Sequence, residues 1–151
     1  MIKTYSLKSD GEKNVSDNFK VKEFACKDGS DKILIDLDLI EKLQKLREYL
    51  KKPIIITSGY RTSSYNKEVG GAANSYHCKG QAVDIYCKDI NPRIIALWAE
   101  FNGLGGVGLY INRNIEFVHI DTRTSKYRWI NNHGNQTAVE NLFDKIVKVA
   151  A

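Results

Sequence analysis

Ser75-Tyr76-His77-Cys78-Lys79-Gly80-Gln81-Ala82-Val83-Asp84 is a turn running into a strand, and the rest of the chain organises around it. Gly80 permits a sharp bend, because a residue without Cβ reaches backbone angles that others avoid. Gln81 to Tyr86 then reads as a strand, with Ala82 and Asp84 on one face and Val83 and Ile85 on the other. The bend folds His77 back toward the face that carries Asp84, and the small Ala82 leaves room there for an ion. A second predicted strand, Phe117 to Asp121, presents His119 and Asp121 on one face. Laid side by side, the two strands would assemble two imidazoles and a carboxylate. Two neutral histidines and one aspartate form a three-ligand set for Zn²⁺ that keeps one position open for water. Water bound there has a pKa near about 7, so it supplies hydroxide at neutral pH. The expectation is one Zn²⁺ per chain and a hydrolytic reaction.

Each of these residues has a plainer reading when taken singly. A histidine beside an apolar strand is commonly a hydrogen-bonded core residue, and an aspartate after a strand is commonly a cap or a turn. The joint string Ser-x-His-x-x-Gly-x-Ala-x-Asp is much rarer than its parts. His133 lies in the polar stretch Asn131-Asn132-His133-Gly134-Asn135 and reads as solvated. Cys78 follows His77 directly, and on a regular strand it would point the other way. It reads as a packed or surface thiol rather than as a ligand or nucleophile.

Outward from this centre the elements alternate. Leu39, Ile40, Leu43, Leu46 and Leu50 recur at spacings of three and four, which predicts a helix from Asp36 to Leu50 that stops at Lys51-Lys52-Pro53. Ile54 to Thr57 is β-branched and reads as a buried strand. Ser58 to Thr62 is a turn, and Thr62 or Ser63 caps a short helix through Glu68. Asn91-Pro92 opens a helix to about Phe101, with proline at the first helical position. Val107 to Ile111 and Phe117 to Asp121 read as a hairpin around Asn112-Arg113-Asn114, and 138–149 as a closing helix with Leu142, Ile146 and Val149 as its stripe. This order predicts one α+β domain over 1–151, a small and mainly antiparallel sheet with helices packed against it. Residues 1–15 are polar and read as a loose arm or a short strand.

Bulk properties exclude several classes. A chain of 151 residues buries roughly two-thirds of its unfolded surface, enough for one core. No apolar run approaches the about 18 residues of a membrane span, so membrane insertion is not expected. The net charge is +5, but lysines and arginines are scattered rather than clustered. A nucleic-acid partner, which would predict salt-sensitive binding, is therefore only weakly supported. Three cysteines without a CxxC pair fit a reduced protein rather than a disulfide scaffold. The first residues lack the apolar core of a secretory signal. The expectation is a protein made in the cytoplasm that reaches its target after lysis, through a holin or by another route.

The string Ser75 to Asp84 resembles the zinc motif of the D-alanyl-D-alanine carboxypeptidase and L-alanyl-D-glutamate endopeptidase group, peptidoglycan-cutting peptidases related to the sonic hedgehog domain. The resemblance runs from about Phe19 to Trp129. It takes in Ile56-Thr57-Ser58-Gly59-Tyr60-Arg61, Val69-Gly70-Gly71-Ala72 and Phe117-Val118-His119-Ile120-Asp121-Thr122-Arg123. It implies that His77, Asp84 and His119 are the zinc ligands and that Glu116 stands where these enzymes carry the general base. It also implies that Arg61 stands where they hold the substrate carbonyl or carboxylate. It implies a peptidoglycan peptide as substrate, in an endolysin or a cell-wall remodelling enzyme, acting as a monomer. Glu116 and His119 are three apart, so on a regular strand they face opposite ways. Asp121 is the reserve base, or else it orients a ligand from behind, as metal-bound histidine usually requires. Ser75 has a similar supporting role or is simply a loop-capping hydroxyl. The alternative to an enzyme is a binding module that keeps the fold and the zinc without catalysis.

Overall fold

The computed structural model describes residues 1–112 and 114–150, the last three as backbone only. Arg113 at the expected hairpin tip and the Val149 side chain of the expected helical stripe lie outside the described residues. The elements run β1 (Ile2–Ser6), α1 (Leu7–Asp10), β2 (Asn14–Ser16), β3 (Phe19–Lys20), a 3₁₀ turn (Val21–Phe24), β4 (Lys32–Asp36), α2 (Leu37–Leu50), β5 (Ile55–Ser58) and α3 (Ser63–Glu68). A second 3₁₀ turn (Tyr76–Lys79) leads to β6 (Ala82–Tyr86), α4 (Pro92–Phe101), β7 (Gly106–Ile111), β8 (Phe117–Asp121), β9 (Tyr127–Asn132), β10 (Asn135–Val139) and α5 (Leu142–Ala150).

The main sheet has six strands in the order β10-β9-β7-β8-β6-β5. Every neighbouring pair is antiparallel except β7 with β9. This is the expected α+β architecture, with one parallel pair inside a mainly antiparallel sheet. Helices begin where short polar side chains satisfy free N–H groups. Asp36 accepts from the Asp38 amide to start α2, Thr62 from Tyr65 to start α3, and Asn91 from Arg93 to start α4 with Pro92 just inside. Lys51, at φ 56°, closes α2 in a left-handed conformation before Pro53.

β6, β7 and β8 divide the molecule in two. On one face Val83, Ile85, Val107, Leu109, Val118 and Ile120 are buried among Ile95, Ala96 and Ala99 of α4. Each such side chain contributes about 1.5–3 kcal/mol by leaving water. The other face carries Ala82, Asp84, Gly106, Gly108, His119 and Asp121 in register, Asp84 opposite His119 and Gly108 opposite His119 on the far side. Among the described residues no helix is long and apolar enough to cross a membrane.

One expectation is narrowed and another changes. Of the two readings of residues 1–15, a loose arm or a short strand, the strand holds: β1 pairs antiparallel with β4, and Ser6, Lys8 and Asp31 lock its end. Residues 127–139 form the hairpin β9–β10, so α5 starts at Leu142 rather than 138. The turn is His133-Gly134, both at positive φ (51° and 89°), which matches the twist of a tight hairpin. The strand β10 is polar and mostly exposed at the sheet edge, so hydrophobic alternation gives no sign of it.

Candidate metal centre

His77 is placed by the turn that Gly80 closes at φ 72°, with the Gly80 amide bonded to the His77 carbonyl. Ser75 caps this turn, its hydroxyl accepting from the His77 amide at 3.2 Å. Ser75 is thus a loop-capping residue on the rim of the cleft. The Arg61 amide donates to the His77 carbonyl at 3.1 Å, fixing the turn to the segment after β5. Asp84 and His119 sit opposite each other on β6 and β8. His77 Nε2 lies 3.3 Å from Asp84 Oδ1, and His119 Nδ1 lies 3.0 Å from the same oxygen. The rings stand edge to face, 5.0 Å apart. One ligand atom from each of His77, Asp84 and His119 falls within 4.8 Å of the others, so the three could hold a metal ion.

The donor set fits Zn²⁺. Zinc takes imidazole nitrogen and carboxylate oxygen, and its histidines usually donate their second nitrogen to an acceptor that fixes the tautomer. Both histidines are held this way. His77 Nδ1 is 2.8 Å from the Gly59 carbonyl, and His119 Nε2 is 2.8 Å from Asp121 Oδ2. His77 Nε2 and His119 Nδ1 are left facing the shared Asp84 oxygen. Burial would lower the His119 pKa, but its hydrogen bonds and charge pairing with Asp121 and Asp84 outweigh it and push it up to about 9 in the metal-free protein. Burial would raise Asp84, but bonding to His119 and His77 holds it well below the usual carboxylate range. Asp121 is held down likewise, with His119 and Arg123 overcoming its burial.

The opposite wall is Arg61. Its guanidinium is shared among Ser58 Oγ at 3.0 Å, Asn66 Oδ1 at 3.3 Å and Asp84 Oδ2 at 3.3 Å. Asn66 is itself buried and bonded to the Ala72 carbonyl. The cleft of about 580 Å³ is lined by both histidines, Asp84, Arg61 and the aromatic residues Tyr76, Tyr110, Phe117, Tyr127 and Trp129. Bulk on this face is possible because β7 carries glycine there. A Cβ at Gly106 would collide with the Asp121 carboxylate, and one at Gly108 with the Trp129 indole.

Glu116 does not join the site. It lies one residue before β8, and its Oε2 accepts from Arg93 Nη1 of α4 at 3.1 Å. The three-residue spacing from His119 places it toward the helix-covered side of the sheet, while Phe117 and His119 line the cleft. Asp121 is within the site but saturated. Its Oδ1 accepts from the Arg123 amide and Nε, and its Oδ2 from Arg123 Nη2 beside His119 Nε2. A carboxylate has about four lone-pair sites, so Asp121 has none left for a water proton while it holds His119 Nε2. Cys78 is half-buried and outside the ligand cluster, and burial raises its thiol pKa. Sequence reasoning missed Tyr110 and Trp129. Trp129 Nε1 donates to the Tyr110 hydroxyl at 3.1 Å, which leaves the Tyr110 proton free to donate. The alternation Gly106, Gly108, Tyr110 along β7 held the signal.

Comparison with known proteins agrees with this geometry. The chain is similar to the peptidoglycan L,D-endopeptidase MepK of Escherichia coli strain K12, 39% identical over 100 residues that cover 62% of this chain and 54% of that protein. The Shigella flexneri protein of the same name matches equally. The probable peptidoglycan L,D-endopeptidase MepK of Haemophilus influenzae is 33% identical over 96 residues, 58% of this chain and 50% of that protein. The chain thus spans about half the length of these relatives. Their named substrate, peptidoglycan, lies outside the cytoplasmic membrane, where such an enzyme has to act. This overturns the expectation of a cytoplasmic protein released by lysis. The absence of an apolar segment at Met1 carries no weight, because the match covers only about half of each relative. A sequence model of the peptidase M15 family matches residues 16–121, more than half of the chain and every residue of the His-Asp-His cluster, so this chain belongs to the peptidase M15 family.

Proposed function

We propose that the chain is a zinc-dependent peptidase that hydrolyses a peptide bond of peptidoglycan, cutting as an endopeptidase. The observation that carries this is the convergence of His77, Asp84 and His119 at the floor of one cleft, with each histidine's other nitrogen already bonded. The endopeptidase assignment is supported by the relatives' printed activity.

Zinc held by His77, Asp84 and His119 would supply a water acidic enough to attack an amide at neutral pH. The chain's own residues orient the site and stabilise charge within it. Asp121 and the Gly59 carbonyl fix both imidazoles in the tautomer a cation needs. Arg61 stands beside Asp84 with a charge it cannot lose, placed to bind the scissile carbonyl and to stabilise the oxyanion formed on it. The Tyr110 hydroxyl can donate into the same space. Glu116 is left out of this scheme because Arg93 holds it away from the cleft.

Mass spectrometry of muropeptides after digestion of purified cell wall names the bond that is cut. Chelator-sensitive products with new internal peptide ends are expected. Release of single terminal residues would replace the endopeptidase with a carboxypeptidase. Zinc binding without any cleavage across several wall types would leave a binding module.

A further inference from the structure

We infer that Arg123 is a positioning residue for the metal centre, acting through Asp121 on His119. It lies two residues past the end of the family match, and its side chain is 17% exposed. Its backbone amide and Nε reach Asp121 Oδ1 at 3.1 and 2.8 Å, and its Nη2 reaches Oδ2 at 2.5 Å. The fork therefore grips both oxygens of a carboxylate that is 0% exposed. The remaining lone pair of Oδ2 is aimed at His119 Nε2. The guanidinium is held in turn by rings. Its central carbon lies 4.4 Å from the Tyr76 ring centroid, 5.3 Å from Tyr127 and 5.5 Å from Trp129. Tyr76 adjoins His77 in the turn, and the Trp129 ring packs 5.0 Å from His119.

One cation thus ties the turn bearing His77, the strand bearing His119 and the strand β9 that walls the cleft. A planar fork is required: an ammonium has the charge but cannot grip both oxygens while stacking on rings. Without the fork, Asp121 would be free to turn about its own bonds, and the His119 ring would lose the partner that sets its angle. Such outer partners typically change metal affinity by about 10–100-fold.

This inference rests on the zinc reading of the same site, but it is tested without substrate. Zinc affinity is measured by competition with a chromogenic chelator on the whole chain, for wild type, Arg123→Gln and Arg123→Lys. Both variants are expected to bind zinc about 10–100-fold more weakly, and Lys to rescue little of the loss. Turnover by the zinc-saturated variants should fall in kcat more than it changes KM. If Arg123→Gln does not give a native circular dichroism spectrum, Arg123→Lys and Tyr76→Leu are read in its place, the latter with a smaller loss. Wild-type affinity within twofold in Arg123→Lys would overturn the positioning role, since charge alone would then suffice. Failure of wild type to cleave cell wall would count against the peptidase and leave this affinity comparison standing. Failure of wild type to bind zinc would overturn both.

Discussion

The two faces of the same three strands follow opposite rules. On the α4 side of β6, β7 and β8, valine, isoleucine and leucine fill space without polar atoms. On the cleft side the same strands carry Asp84, His119 and Asp121 beside Ala82, Gly106 and Gly108. The second face is buried too: His77, Asp84 and His119 are 3%, 7% and 7% exposed. Buried ionisable groups are costly unless paired, and here they are paired with one another, with Asp121, with the Gly59 carbonyl and with Arg61. The apolar face supplies the stability that lets the polar face keep its charges together, and it holds β6 and β8 in the register that sets Asp84 against His119.

The difference can be broken from the polar side first. Chelation of the metal should reduce peptidase activity on the order of a thousandfold or more, because the activated water is lost. Circular dichroism should show the metal-free protein still folded, with a lower melting temperature as mass action requires. Unfolding on chelation would show that the apolar face alone does not hold the sheet.

The next largest effect concerns the other buried arginine. Arg128 pairs with Glu100 of α4 and donates to the Leu104 carbonyl, while Glu100 accepts from the Leu142 amide of α5. Both side chains are about 95% buried, yet neither lines the cleft. Glu100→Gln should cost about 3–5 kcal/mol by stranding a buried cation, measured by urea denaturation, with kcat per folded molecule unchanged. Arg123, five residues earlier, should show the reverse balance.

On the apolar face, Ile120→Ala should cost about 2–5 kcal/mol and leave zinc affinity within about threefold. A large loss of zinc affinity would mean that packing there tunes the ligands directly.

A smaller effect is proton-linked. In the metal-free protein His119 keeps its proton up to about 9, so zinc must displace it. Apparent zinc affinity should rise about tenfold per pH unit from 7 to 9 and level off above, read by titration in buffers of known protonation. The raised pKa also makes this proton stabilising in the metal-free fold. That contribution is complete below the ordinary value of 6.5 and is lost as pH rises through about 9. A flat affinity profile would show that His119 is already neutral.

The smallest predicted change is Glu116→Gln. The carboxylate is a half-exposed partner of Arg93, a kind of pair worth about 0–1 kcal/mol. Activity within about threefold of wild type is expected. A loss of a hundredfold would return Glu116 to the role of base.

Much of this was legible in sequence, for stated reasons. The helical spacing of Leu39, Ile40, Leu43 and Leu46 marked α2, and Gly80 marked the turn that delivers His77. The clustering of Asp84 and His119 was legible because they lie on strands whose period of two fixes their face. Period two also warned that Glu116 faces away from His119, against its expected role. What stayed hidden depends on tertiary context. β1 is a strand because β4 lies beside it, and β10 because it pairs with β9 across a two-residue turn. The roles of Arg123, Tyr110 and Trp129 appear only when β9 is laid parallel to β7.

Anomalous diffraction at the zinc edge, from crystals of the whole chain grown with stoichiometric zinc, tests the central claim most directly. One peak is predicted, touching His77 Nε2, a carboxylate oxygen of Asp84 and His119 Nδ1. A peak elsewhere, or none with those three side chains turned apart, would contradict it.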